Sequence, residues 1–160
     1  MHRSGVAFVA LMLASAAAAA GELGVNVYGL SYHFERERAR AIGTDNEFNP
    51  GIGLRYRGDS AGRFQWYADA GVYRDSGRNA AKLAGAAVQW KATERLGLGA
   101  ALVALHSRTY NRGRAFVTPL PVASYELGPA TLNLAYIPRV GSLNSINTLG
   151  LWVTLWPQRW

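Results

Sequence analysis

Three side chains in this sequence are of the types that carry out acyl transfer. His33 can act as a general base, Asp75 can orient an imidazole, and Ser76 offers a hydroxyl. They form no linear hydrolase motif such as G-x-S-x-G, so the fold has to bring them together. Each also has an ordinary, non-catalytic interpretation. His33 can be a solvated histidine at a loop edge, and Asp75-Ser76-Gly77 can be a common turn. His106 is a competing candidate for the base.

Alternating apolar and small or polar residues predict strands throughout the chain after Gly21, and no segment there has the pattern of a helix. The third strand gives the clearest signal, since Phe64, Trp66 and Val72 share one face. Each strand has about the length that a tilted strand needs to cross a bilayer. The sequence therefore predicts an all-β fold with eight strands, at Gly24–Phe34, Phe48–Arg57, Arg63–Arg74, Ala80–Lys91, Arg95–Ser107, Ala115–Tyr125, Ala130–Pro138 and Asn147–Trp156.

The connections between these strands alternate between tight turns and longer polar loops. Tight turns follow the second, fourth and sixth strands, and the first of the longer loops runs from Glu35 to Glu47. This asymmetry, with Trp and Tyr near strand ends, is typical of an outer-membrane antiparallel β-barrel, which closes and leaves no free edge in lipid. A soluble barrel of the lipocalin kind is the alternative. In this topology His33, Asp75 and Ser76 lie at the end that carries the longer loops.

The amino-terminal residues predict export. A cationic start precedes an apolar, Ala-rich stretch from Val6 to Ala20, which has the pattern of a signal peptide at residues 1–20 and is short for a retained spanning helix. Residues 21–160 then form the barrel domain. For an exported protein, a formal net charge of +7 favours an anionic membrane surface over nucleic acid as partner. Because the chain has no Cys and only 3 His, thiolate metal sites, disulfides and a His-rich metal cluster are excluded, and we expect no cofactor or metal.

The fourth and fifth strands are apolar on both faces, so an apolar face has to line the barrel interior. In the fourth strand Leu83, Gly85 and Ala87 alternate with Ala84 and Val88. An eight-stranded barrel can hold one small ligand, and small apolar residues would leave room for a hydrocarbon chain. The alternative is a compact small-residue core without a cavity.

Arginines and prolines mark the loop side of the predicted barrel. Pro119 and Pro121 fall within the sixth strand and Pro138 ends the seventh. Because proline removes a ladder hydrogen bond, they predict either a tolerated bulge or a lateral gap that admits a lipid. The outward arginines suit phosphate recognition, although a solvated charged surface is the alternative, and the candidates for phosphate contacts are Arg36, Arg38, Arg74, Arg78, Arg112 and Arg114.

The segment Pro119–Thr131 is followed closely by Tyr136-Ile137-Pro138. These residues resemble the Pro-Leu-Ala-Ser, Gly-Pro-Val-Thr and Tyr-Ile-Pro segments, at the same spacing, of the lipid A palmitoyltransferases of the PagP family. Asn46-Glu47 with Gly51–Leu54 is similar to its Asn-Glu and Gly-Phe-Gly-Leu. The family's functional histidine aligns with His33 and its Asp-Ser pair with Asp75-Ser76. The resemblance covers nearly the whole chain after the signal and is most specific in the C-terminal half.

The resemblance implies a monomeric Gram-negative outer-membrane barrel that moves palmitate from a glycerophospholipid to a hydroxyacyl chain of lipid A. The donor would enter laterally where the prolines interrupt pairing. His33 would accept the proton of the lipid A hydroxyl, oriented by Asp75, while Ser76 either carries a transient acyl group or hydrogen-bonds the reacting ester. Ala87 stands where the family has a glycine at the pocket floor, which implies a chain of palmitoyl length or slightly shorter.

Three other functions fit the same pattern. A non-catalytic barrel would serve as an adhesin or membrane scaffold. A lipid A deacylase or another outer-membrane esterase would use the same residues to cleave an ester. A soluble acyl-binding barrel would hold the hydrocarbon chain in the periplasm.

Overall fold

The computed structural model describes residues 21–141 and 143–160, so the predicted signal peptide at 1–20 lies outside the described residues. The described chain forms a closed barrel of eight antiparallel strands in which each strand pairs with its neighbours in sequence and β8 pairs with β1. The predicted all-β, eight-stranded antiparallel fold is therefore confirmed. The strands are β1 (Glu22–His33), β2 (Phe48–Arg57), β3 (Phe64–Arg74), β4 (Ala80–Lys91), β5 (Leu96–His106), β6 (Phe116–Glu126), β7 (Ala130–Ile137) and β8 (Thr148–Leu155).

One element contradicts the prediction that no segment after Gly21 forms a helix. A short helix, α1 (Arg36–Ala41), follows β1, with Ala39 buried beneath it. Its Arg, Glu and Ala residues favour helix, but a single buried position gives no apolar periodicity to recognise. Short 3₁₀ turns lie at Asn111–Gly113 and Pro157–Arg159. Among the described residues, every helix is too short or too polar to cross a membrane.

The connections define two ends of the barrel. Segments 34–47, 75–79, 107–115 and 138–147 lie at what we call the loop end, and segments 58–63, 92–95 and 127–129 lie at the turn end. The segment 75–79 is as short as the turns at the opposite end. The predicted difference in length between the two ends therefore holds for the other three loop-end segments. His33, Asp75 and Ser76 all lie at the loop end, as predicted.

Apolar side chains cover the outer surface. Leu30, Phe48, Ile52, Val88 and Leu102 are all more than half exposed, which is the arrangement expected of a barrel that places its outer face in lipid. Aromatic residues flank this surface near both strand ends, with Tyr32 and Phe34 packed edge to face at the loop end and Tyr56 beside Trp66 at the turn end.

The interior is divided into a polar half and an apolar half, whereas the sequence predicts an apolar lumen. Toward the turn end, Arg55 donates hydrogen bonds to Asp69 at 2.8 and 2.9 Å and to Asn133 at 2.6 Å. Asn26 donates to Asp69, and Thr154 donates to Asn26. These side chains come mainly from strands that alternate apolar and polar residues, and their buried polar atoms satisfy one another. The apolar lining comes mainly from β4, β5 and β6, toward the loop end.

Candidate active site

A β-bulge in β1 turns His33 toward the barrel interior. Asn26 and Tyr28 face inward, and the pairing register of β1 then shifts between Tyr28 and Leu30 against both β2 and β8. Without this shift the strict alternation of a strand would place His33 on the outer surface. With the extra residue at Gly29, His33 is instead 2% exposed, which is the re-aiming effect that bulges have near functional sites.

His33 and Ser76 meet across the top of β2. The His33 Nε2 atom lies 2.9 Å from Ser76 Oγ, and both side chains are buried. This distance is within the reach required between a nucleophile and its base. The fold therefore brings together two of the three side chains singled out in the sequence.

Glu47 is the carboxylate that faces the other side of the His33 ring. Its Oε1 atom accepts a hydrogen bond from the His33 backbone N–H at 3.1 Å and lies 3.6 Å from His33 Nδ1. Its Oε2 atom accepts from Arg36 at 3.1 Å. Within the described residues, the buried Nδ1 has no hydrogen-bond partner, and Glu47 is the carboxylate that lies against this side of the ring, at a distance longer than a hydrogen bond.

Asp75 is close to this pair, but its carboxylate has other partners. Its Oδ1 atom accepts from the backbone N–H groups of Gly77 and Asn79, each at 2.9 Å, and its Oδ2 atom accepts from Ser107 Oγ. These contacts close the turn that presents Ser76 and connect it to the end of β5. Among the described residues Asp75 therefore makes no hydrogen bond to His33, so its orienting role stays a prediction, and Glu47 is a second candidate for that role because it lies against the ring.

Tyr110 completes the surroundings of Ser76 and was missed in the sequence. Burial raises the pKa of Tyr110, while hydrogen bonding with the side chain and backbone of Ser76 partly opposes that rise. Ser107 Oγ accepts from the Thr109 backbone N–H, and Asn79 donates to Thr109 Oγ1, so the 107–110 segment is fixed against the 75–79 turn. Nothing in the sequence marks Ser107 or Tyr110 as a site residue, because only the fold brings their loop against the turn that presents Ser76.

An apolar cavity of about 140 Å³ begins at Ser76 and Tyr110 and extends down the barrel. It is large enough for several water molecules, but most of its lining is hydrocarbon. Gly71 leaves space for the Tyr28 side chain that lines this cavity, because a Cβ built at Gly71 would lie 2.6 Å from the Tyr28 hydroxyl. The main apolar lining residues are Leu83, Gly85, Ala87, Ala101, Val103, Leu105, Leu120, Val122 and Ala135.

Ala87 lies where the apolar lining meets a buried aromatic cluster. It is 6% exposed, pairs with Tyr67 and Ala101 in the sheet, and packs in one cluster with Tyr67 and Trp156. Gln89, the next inward residue of β4, bonds Ser124 and belongs to the polar part of the interior. Ala87 therefore lies at the depth where the cavity lining changes from apolar side chains to the polar residues Gln89, Arg55 and Asp69.

Pairing between β6 and β7 stops halfway along the strands. β6 pairs with β5 from Leu96↔Tyr125 to Leu105↔Phe116, but with β7 only from Val122↔Ala135 to Glu126↔Thr131. Because backbone N–H groups two residues apart point to the same side of a strand, Pro119 and Pro121 remove two donors from one edge of β6.

A second cavity, of about 50 Å³, lies beside this unpaired stretch. It is lined by Phe116 and Thr118 of β6, by Pro138 after β7, and by residues of the following loop. Tyr73, Val103, Leu105, Tyr110, Leu120 and Ile137 line both cavities. The unpaired part of the β6–β7 seam therefore leads toward the main cavity.

The six candidate phosphate-binding arginines are all exposed and lie at the loop end. Arg36 pairs with Glu47, and Arg78 pairs with Asp45 at 3.0 Å. The hydrogen bond from Arg78 holds the pKa of Asp45 below its usual range. Arg38 lies on α1, Arg74 ends β3, and Arg112 and Arg114 lie before β6.

Two further observations bear on the identity of the site. Among residues 21–141 and 143–160, no group of three or more His, Cys, Asp or Glu side chains could hold a metal ion. Comparison with protein-family models and with curated proteins gave no match. The family resemblance therefore rests on the sequence motifs, and the site has to be interpreted from its own geometry.

Proposed function

We propose that this protein is an outer-membrane acyltransferase that moves a long acyl chain from a glycerophospholipid to lipid A. The observation that carries the proposal is the contact between His33 Nε2 and Ser76 Oγ at the mouth of an apolar cavity. A nucleophile and base at one end of a hydrocarbon-lined cavity fit a substrate with an ester head and an apolar chain. The apolar outer surface and the aromatic bands support a position in the outer membrane.

The proposed reaction uses the side chains in two steps. Ser76 Oγ attacks the donor ester carbonyl and gives its proton to His33 Nε2, and that proton then passes to the departing lysophospholipid oxygen. The lipid A hydroxyl, losing its proton to His33, attacks the acyl-serine, and the proton returns to Ser76 Oγ as the ester bond breaks. Glu47 stabilises the imidazolium formed in each step. In a direct transfer, Ser76 would instead hydrogen-bond the reacting ester and would never carry the acyl group.

The experiment that tests the function is mass spectrometry of lipid A from a Gram-negative host with no lipid A palmitoylation of its own. Expression of this chain should add the mass of one acyl chain. A mass loss would indicate the deacylase or esterase alternative, and an unchanged mass would indicate a non-catalytic barrel. Recovery of the protein in the periplasmic fraction would contradict the membrane location.

Substitution at Ala87 should change the preferred acyl chain. Ala87→Gly removes a methyl group from the end of the apolar lining, so the preferred chain should lengthen by roughly one or two methylenes, and Ala87→Met should shorten it by at least as much. The measurement is the chain profile transferred from a mixture of phospholipids. Ala84→Gly, on the outer face of the same strand, is the matched control. An unchanged profile in both Ala87 variants would show that this residue does not limit chain depth.

Closing the unpaired part of the β6–β7 seam should block donor entry. The native chain has no cysteine, so a Pro121→Cys, Tyr136→Cys pair can be bridged selectively; these positions would face each other if the register of the seam continued. Bridging with a reducible bifunctional reagent should lower the transfer rate at least about tenfold, and reduction should restore it.

The control for this experiment is a bridge across a seam that is already paired. Ala104→Cys with Val117→Cys places two outward cysteines opposite each other on β5 and β6, and bridging them should leave the rate within about twofold. Full activity of the bridged β6–β7 barrel would contradict entry through this seam.

A further inference from the structure

The aromatic band at the loop end is interrupted on one wall of the barrel. On β7, β1 and β2 the outward residues near this end are Tyr136, Tyr32 and Phe48, and Phe34 packs edge to face on both Tyr32 and Tyr136. On β3, β4 and β5 the corresponding outward residues are Arg74, Lys82 and His106, and all three are exposed. One wall thus presents two cations and an imidazole at the level where β7, β1 and β2 present aromatic rings.

The sheet register places these three side chains close together, and the two cations among them make this a cationic patch. Lys82 pairs directly with His106 across β4 and β5, and Val72, two residues before Arg74, pairs with Lys82 across β3 and β4. Directly opposed side chains on one face have Cβ atoms about 5 Å apart, and diagonal neighbours are about 7–8 Å apart. A lipid phosphate can contact groups at these separations simultaneously.

Within the part of the chain that the structure describes, no acidic side chain forms an ion pair with this cationic patch. The ion pairs of the described residues use Arg36, Arg55, Arg57, Arg78 and Arg159, together with the buried His33. Below the patch, the outer face of the same wall is made of small residues such as Ala84, Ala86 and Ala104, so acyl chains can lie close against it. Uncompensated cations at the rim of an apolar wall need anionic partners at the same depth in the leaflet.

We infer that Arg74, Lys82 and His106 bind the phosphate groups of lipid A on the outer wall of the barrel and so hold the acyl acceptor beside Ser76. Ser76 follows Arg74 by two residues, so a lipid anchored on this wall lies next to the turn that presents the hydroxyl. The acceptor would then approach from β3–β5, while the donor enters at the β6–β7 seam. The inference rests on the proposed function for the identity of the lipid.

The test is lipid binding by the purified full chain in detergent. The probes are bisphosphorylated lipid A and the same lipid after removal of its phosphates. Wild-type protein should prefer the phosphorylated form, and the combined Arg74→Gln, Lys82→Gln, His106→Gln variant should bind that form at least about tenfold more weakly. The matched control is the combined Arg63→Gln, Lys91→Gln, Arg95→Gln variant, which removes cations from the turn end and should bind as wild type does.

Two results would overturn the inference. One is unchanged affinity in the loop-end variant, and the other is equal affinity of the wild type for phosphorylated and dephosphorylated lipid. If the combined variant does not fold, Lys82→Gln alone should still weaken binding measurably. Unchanged affinity of that single variant would also overturn the inference. His33→Ala should retain full binding, so loss of acylation in that variant tests the proposed function separately from this patch.

Discussion

His33→Ala is expected to lower the rate of lipid A acylation by roughly 10²- to 10⁴-fold, which is the contribution typical of a positioned general base. In the proposed reaction His33 Nε2, which lies 2.9 Å from Ser76 Oγ, accepts the proton of that hydroxyl, so its removal should leave the hydroxyl without a base. The measurement is the initial rate of acyl transfer by the folded variant in the membrane. His33 packs at the end of β1, where its loss leaves the strand pairing of the barrel intact.

Ser31→Ala is the matched control for this variant. Ser31 lies two residues earlier on β1, also faces the interior, and donates its hydroxyl hydrogen bond to Asn49 rather than to Ser76. Its rate should stay within about threefold of wild type, a difference of about 0.7 kcal/mol in the barrier. If His33→Ala were as active as this control, His33 would have no role in the chemistry.

Glu47→Gln is expected to lower kcat by about 10²-fold with little change in KM. The carboxylate faces His33 Nδ1 at 3.6 Å, and in the proposed reaction it stabilises the imidazolium that forms when Nε2 takes a proton. The effect should be smaller than that of losing the base, because Glu47 is 35% exposed and also pairs with Arg36. The measurement is steady-state kinetics with the donor varied at saturating lipid A.

Two further variants separate orientation of the imidazole from general support of the loop. Glu47→Asp keeps a carboxylate and should recover part of the lost kcat, which a purely structural role would not predict. Glu37→Gln removes an exposed carboxylate from α1 in the same loop and should have no effect. If Asp75→Asn lowers kcat in a fully folded barrel while Glu47→Gln does not, the orienting role belongs to Asp75 after all.

The barrel could be predicted from sequence because its physical signal is repeated along the chain. Every strand keeps an apolar outward face, most strands alternate it with small or polar inward residues, and the predicted strand ends lie within two residues of the observed ones. Placement of His33 and Ser76 at the same end followed from strand order alone. The interruption of pairing beside Pro119 and Pro121 could also be predicted, since a missing backbone donor is a local property of proline.

The contacts within the site could not be predicted in the same way. Whether His33 faces inward depends on the bulge at Gly29, and a one-residue register shift leaves no mark in the sequence. The choice between Asp75 and Glu47 depends on the path of the 34–47 loop, which returns Glu47 to the end of β1. The polar half of the lumen was missed because Arg55, Asp69 and Asn133 come from three strands, and their network is visible only when the barrel closes.

The most direct test of the central claim uses the purified barrel with two defined lipids. The donor is a glycerophospholipid carrying an isotopically labelled acyl chain, and the acceptor is lipid A. The account predicts that lipid A gains the mass of the labelled chain while the donor becomes a lysophospholipid, and that this gain disappears in His33→Ala. Release of the label as free fatty acid with no gain by lipid A, or no reaction in a folded barrel, would contradict it.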